Sequence, residues 1–149
     1  MSLEQWHNNG WVHLAERSPQ EVAALLAIAA RELADGALTG MSADGRFDHA
    51  YAAVRALSQA ALRANGYAVP KGGREHERVI ESLKFTLGGS WNEEADYFDR
   101  CRRRRHQSMY EASGVCGVAD AEDLLERAKK LQHAIIVWLK NAHADLMRD

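Results

Sequence analysis

The chain has 149 residues, of which 46% are hydrophobic and 27% are charged, and its formal net charge at pH 7 is −2. This length predicts one domain, long enough to bury about 70% of its extended-chain surface in a single core. The nearly balanced charge excludes a generally basic nucleic-acid coat, so any polyanionic partner must meet a local basic patch.

Nothing near the N-terminus predicts a targeting signal or a cofactor site. Residues 1–5 lack a basic region followed by an apolar one, and the longest apolar run, residues 22–30, is too short to span a bilayer. Glu4 and His7 have the Glu-x-x-His spacing of di-iron bundles, but such sites need a second copy and two further carboxylates. We therefore expect a cytoplasmic protein without membrane association, metal or cofactor.

Residues 1–17 predict two short helical pieces that pack on the main body through Trp6 and Trp11. Residues 18–149 predict a helical bundle domain. Its first helix begins at Ser18-Pro19-Gln20-Glu21, where serine caps, proline fits the first helical position and glutamate completes a capping box. This helix carries apolar residues at a spacing of three or four and ends near Gly36.

A second serine cap, Ser42, precedes an alanine-rich helix over residues 46–65, which Gly66 ends. Residues 67–73 form the most linker-like segment, because they contain a proline and two glycines. A shorter helix is predicted over residues 74–87.

Ser90-Trp91-Asn92-Glu93 is a further capping-box pattern, and it leads into a helix over residues 92–112. The last helix is predicted over residues 119–142, with a long apolar stripe. No segment alternates as a strand does. Five main helices with short connections predict an all-α fold, an antiparallel helical bundle.

The helix over residues 92–112 contains the only dense basic run, Arg102-Arg103-Arg104-Arg105-His106. At about 100° per residue, one side should face the core, and it carries Tyr97, Phe98, Cys101, Arg105, Ser108, Met109 and Ala112. The other side carries Arg102, Arg103, His106 and Tyr110 together. Two guanidinium groups, an imidazole and a phenol can bind a phosphate and move a proton. The alternative is a solvated basic helix face, since basic runs commonly only solubilise a surface.

Cys101 and Cys116 show neither a disulfide framework nor zinc-ligand spacing, which favours a reducing compartment. Cys101 should be a small core residue, whereas Cys116 lies in a glycine-flanked loop and is expected to be more exposed. Trp6, Trp11, Trp91 and Trp138 lie near helix ends, where we expect them to seal the core, with a dimer contact as the alternative.

The order of these motifs resembles that of HEPN-domain proteins. Residues 46–57, followed by Asn65-Gly66-Tyr67, are similar to their second helix and its glycine turn, and residues 75–80 are similar to the segment that opens their third helix. The arginine run resembles their Arg-Asn-x-x-x-His signature. The resemblance is closest to small stand-alone bacterial members, and here Arg105 takes the place of the arginine, His106 that of the asparagine and Tyr110 that of the histidine.

The resemblance implies a homodimer in which the motif helices meet near a two-fold axis. It also implies a metal-independent endoribonuclease, in which the ribose 2′-hydroxyl attacks the adjacent phosphate. Arg105, His106 and Tyr110 would be the catalytic residues and Arg102 and Arg103 would bind RNA. A toxin–antitoxin or defence role, with a nucleotidyltransferase-type partner, is implied in the same way. Tyrosine is a poor base at pH 7, so the activity is expected to be weak or lost unless His106 takes the role.

The alternative function is a non-catalytic homodimeric protein-interaction module. Arg105 would then be an internal ion-pair partner that holds the motif helix, with Asp96, Asp99 or Glu111 as its carboxylate. His49 and His76 lie on the second and third helices of the predicted bundle. Each would either reach the basic run of the helix over residues 92–112 or serve as a local hydrogen-bonding group.

Overall fold

The computed structural model describes residues 1–110 and 116–147, with residues 107–110 described as helical backbone only. The prediction of an all-α helical bundle is confirmed. The helices are α1 (Leu3–Asn8), α2 (Pro19–Gly36), α3 (Ala43–Ala64), α4 (Glu75–Glu81), α5 (Leu83–Thr86), α6 (Asn92–Tyr110) and α7 (Val118–Ala142), with 3-10 turns at Gly89–Trp91 and Ala144–Met147. Two short strands, β1 (His13–Leu14) and β2 (Tyr67–Ala68), pair antiparallel. Among the described residues, no helix combines the length and the apolarity needed to cross a bilayer.

Helix α3 is the centre of the bundle, and α2 and α7 make the most extensive contacts with it. Both α2 and α3 start where serines predict: the Ser18 hydroxyl accepts from Glu21 N–H and the Ser42 hydroxyl accepts from Gly45 N–H. The small side chains of α3 let its neighbours approach closely, and α3 buries residues around most of its circumference. The largest fully buried side chains of this core are Phe47, Tyr51, Leu57, Ile80, Leu83, Phe98, Leu124, Leu131, Ile135 and Leu139.

The N-terminal segment packs on the bundle through aromatic residues. Trp6 is buried, and its ring meets those of Phe85 and Trp11 edge to face, at centroid distances of 5.2 and 5.9 Å. Val12 and Leu62 complete this second apolar cluster. Trp91 and Trp138 lie partly buried against the main core. The tryptophans of the described chain thus seal apolar clusters.

The second N-terminal piece is a strand, so the prediction of a second helical piece and of no strands was wrong. His13 pairs with Ala68 and Leu14 with Tyr67, within the segment expected to be a linker. Two residues per strand are too few to show an alternating pattern. Gly66, at φ +85°, provides the left-handed turn that brings β2 to this pairing.

Two further local expectations differ from the structure. The helix predicted over residues 74–87 is interrupted at Ser82, whose hydroxyl donates to the Val79 carbonyl at 2.6 Å and competes with the helical backbone pattern. Ser90 lies inside the 3-10 turn rather than before a helix.

The two cysteines are both buried. Cys101 lies in the core as predicted, but Cys116 is also buried, against expectation, with an exposed fraction of 4%. Burial raises the pKa of both thiols, so neither is an activated nucleophile.

Candidate functional site: the arginine groove

Helix α6 presents the basic run because its other face is anchored in the core. Phe98 and Cys101 are buried against the neighbouring helices, as the helical projection predicts, and Ala95 is buried beside them. Tyr97, predicted for the same face, is only partly buried. Ser108, Met109 and Ala112, predicted for the same face, lie outside the residues whose side chains are described. The buried triplet fixes the rotation of the helix about its axis and therefore the direction of each arginine.

The four arginines pair with carboxylates in three directions. Arg102 and Arg103 both bond Asp99 on α6 itself, at 2.8 and 2.6 Å. Arg104 pairs with Asp120 of α7 at 3.0 Å, and Arg105 pairs with Asp48 of α3 at 2.5 Å. The run is therefore not a uniformly solvated basic face.

Arg102, Arg105 and His106 line one groove, which we name the arginine groove. Their spacing of three and four residues places them on one face of α6. The opposite wall is the start of α4 and the turn before it, and it contains Gly72, Gly73, Glu75, His76 and Glu77. The volume of about 290 Å³ is near the lower end of ligand-pocket volumes and suits a phosphate-sized or nucleotide-sized group.

Each of the two groove arginines is oriented by a carboxylate that does not line the groove. Arg102 bonds Asp99 through Nε, and Arg105 bonds Asp48 through Nε. Neither Asp48 nor Asp99 is among the groove-lining residues. A guanidinium has four further N–H donors on its terminal nitrogens. Each ion pair therefore orients a fork of donors without placing its carboxylate in the groove.

Arg105 differs in two ways from its predicted environment. Its carboxylate is Asp48, whereas Asp96 pairs with Lys84 and Asp99 pairs with Arg102 and Arg103. Glu111, the third predicted partner, lies outside the described residues. The side chain of Arg105 is 23% exposed and its guanidinium carbon lies 5.2 Å from the ring centre of Tyr51. Asp48 was missed because it is 57 positions away along the chain.

The predicted site residues are only partly brought together. Arg102, Arg105 and His106 share the arginine groove. Arg103 is 59% exposed and does not line it, so its predicted RNA contact has no support from this geometry. Tyr110 ends α6, and its side chain lies outside the described residues.

The sequence left the roles of His49 and His76 open, and the structure places these two side chains in different surroundings. His49 Nδ1 lies 2.7 Å from Glu32, which is a local hydrogen-bond contact between α3 and α2. His76 lines the arginine groove, and Arg55 of α3 donates to its Nε2 at 2.6 Å. Burial, and then the Arg55 charge, lower the pKa of His76, so its imidazole is neutral at pH 7.

Tyr51, which lies behind Arg105, has a buried hydroxyl with no hydrogen-bond partner among the described residues. Burial raises its pKa to about 12. We expect Tyr51→Phe to stabilise the protein by about 1 kcal/mol, because it removes an unpaired polar group and keeps the ring under Arg105. Urea unfolding measures this, with the partly buried Tyr67→Phe as the matched change. A loss of stability in Tyr51→Phe would mean that its hydroxyl is satisfied.

The arrangement is suited to holding a phosphate between two guanidinium forks, with imidazoles beside it. Among the described residues, no group of three or more His, Cys, Asp and Glu side chains is placed to hold a metal ion. Comparison of the chain with protein-family models, curated proteins and solved structures gives no match.

Proposed function

We propose that the protein binds single-stranded RNA, with a backbone phosphate in the arginine groove. The observation that carries this proposal is the convergence of Arg102 and Arg105 on one groove whose lining excludes their own carboxylates. Bidentate guanidinium forks are well matched to phosphate oxygens. The acidic residues of the opposite wall limit the attraction: Glu75 and Glu77 are both present, although Glu77 is paired with Arg74.

RNA cleavage is the stronger form of the same proposal. The 2′-oxygen would form a bond to phosphorus while the bond to the 5′-oxygen breaks, leaving a cyclic phosphate and a 5′-hydroxyl. One group must take the 2′-hydroxyl proton and another must protonate the leaving oxygen. His106 is the groove residue with the chemistry for one of these transfers. A HEPN-like homodimer, a toxin–antitoxin role and a nucleotidyltransferase-type partner belong to this proposal through the sequence resemblance alone.

The test is binding and cleavage of a labelled mixed-sequence single-stranded RNA by purified protein in EDTA. We expect salt-sensitive binding. Cleavage that His106→Ala abolishes, while binding persists, would identify a metal-independent nuclease. Arg100→Ala is the matched control, because Arg100 is an exposed arginine of α6 that does not line the groove. Absence of binding by the wild type at low salt would reject the RNA proposal.

A second candidate function, a non-catalytic homodimeric interaction module, is favoured by one specific observation. Arg105 joins α6 to α3 through Asp48 and the ring of Tyr51, which is the contact that a structural arginine would make. Light scattering of the purified protein, together with the RNA assay, separates the candidates. A dimer that does not bind RNA would support the module.

A further inference from the structure

His76 faces the groove arginines from a different helix. It is the second residue of α4, directly after the turn that contains Gly72 and Gly73. Its side chain is half-buried, and its ring lies 6.2 Å from that of Tyr51, centroid to centroid. The groove thus has an imidazole on the wall opposite Arg102 and Arg105.

The contact with Arg55 determines which ring nitrogen of His76 carries the proton. Arginine has only donors and stays protonated in proteins. The nitrogen Nε2, 2.6 Å from Arg55 Nη1, must therefore accept with its lone pair. The ring is then neutral and its proton lies on Nδ1. The lowered pKa of His76 agrees with this state, since burial and the surrounding arginines disfavour the imidazolium.

We propose that His76 is a neutral hydrogen-bond donor to the RNA phosphate, through Nδ1–H, and that Arg55 is the positioning residue that fixes this tautomer. The inference rests on the proposed function of the arginine groove and identifies a third donor for the same phosphate. The lone pair of His76 is occupied and its remaining proton is weakly acidic. His76 therefore binds the phosphate and leaves proton transfer to another group, which separates its role from that of His106.

The charged and titratable groups around His76 come from three helices. They are Tyr51 and Arg55 of α3, Glu75 and Glu77 of α4, and Arg102, Arg105 and His106 of α6. The arginines stay charged throughout, and the hydrogen bond from Arg74 lowers the pKa of Glu77. Between pH 7 and 8, above the lowered pKa of His76, the contact itself should not titrate. A contact made by an imidazolium would instead weaken as pH rises through about 6.5.

The test compares RNA affinity for the wild type, His76→Ala, His76→Asn and His76→Gln at pH 7, 7.5 and 8. The amide nitrogen of asparagine lies close to where Nδ1 stands in histidine, whereas that of glutamine lies closer to Nε2. We expect about tenfold weaker binding for His76→Ala and His76→Gln, and binding within about threefold of wild type for His76→Asn, on the scale of one hydrogen bond to a charged group. The ratio of wild-type to His76→Ala affinity should be the same at all three pH values.

The failures of the two proposals are distinguishable. If wild-type binding depends on Arg102 and Arg105 but His76→Ala binds equally well, the His76 inference is wrong and the groove proposal stands. A wild-type protein that does not bind RNA rejects both. Nitrogen-15 NMR of the wild-type ring needs neither RNA nor a variant: the Nδ1–H tautomer at pH 7 is expected, and an Nε2–H ring or an imidazolium would overturn the inference. In Arg55→Met the tautomer preference should be lost.

Discussion

The double variant Arg102→Gln, Arg105→Gln is expected to bind single-stranded RNA at least a hundredfold more weakly than the wild type. Hydrogen bonds to charged groups contribute about 1.5 kcal/mol or more each, and about 1.4 kcal/mol corresponds to a factor of ten. The slope of log affinity against log salt should become less steep by about 0.7, because the one phosphate that both arginines neutralise no longer releases its counterions. Fluorescence anisotropy titrations at several salt concentrations measure both quantities.

The matched control is Arg100→Gln, Arg103→Gln, which removes two cations from the same helix and leaves the arginine groove lining unchanged. This control should retain most of the affinity. Equal losses in the two double variants would mean that RNA responds to the net charge of α6 rather than to the groove. Thermal unfolding of each variant is needed beside the titrations, since Arg105→Gln also leaves Asp48 without its partner.

Phe98→Ala is expected to lower the free energy of unfolding by about 3–5 kcal/mol. Phe98 is fully buried in the main core, where it anchors α6. Removing its ring loses apolar burial and leaves a cavity that a close-packed interior fills only partly. Such a loss is a large part of the roughly 5–15 kcal/mol that stabilises a typical protein. Urea unfolding followed by circular dichroism measures the change.

Leu38→Ala is the comparison for this core variant, because Leu38 is 56% exposed. Its effect should stay within about 0.5 kcal/mol. Phe98→Leu should lose less than Phe98→Ala, since it keeps more of the side-chain volume. A loss below about 1 kcal/mol in Phe98→Ala would contradict the burial of this face of α6. The direction assigned to the groove arginines, which depends on this buried face, would then also be wrong.

The ion pairs of the basic run and its proposed binding role are compatible. A solvated basic face and an anion site were alternative interpretations of residues 102–105. The structure divides the run: Arg104 ties α6 to α7, while Arg105 ties α6 to α3 and lines the arginine groove together with Arg102. A carboxylate at Nε restricts an arginine without occupying its terminal donors. Preorganised donors lose less freedom when a ligand binds.

The sequence by itself determined the four longest helices, α2, α3, α6 and α7, the serine caps at Ser18 and Ser42, and the buried face of α6. These features follow from local chemistry: side-chain oxygens satisfy the first free backbone N–H groups, and an apolar spacing of three or four residues forms a stripe that must be buried. The same periodicity placed Arg102 and His106 on one face of α6. The sequence did not indicate that Asp48 is the carboxylate that pairs with Arg105.

The tertiary structure alone decided the partners that join distant segments. Asp48 meets Arg105 and Arg55 meets His76 because α3, α4 and α6 pack together, which bridges separations of 57 and 21 residues. The same packing pairs His13 and Leu14 with residues beyond Gly66, although neither strand is long enough to be recognised by its pattern. Local periodicity gives the face on which a side chain lies. Which group lies opposite it depends on how the helices pack, and in this protein that packing makes the arginine groove.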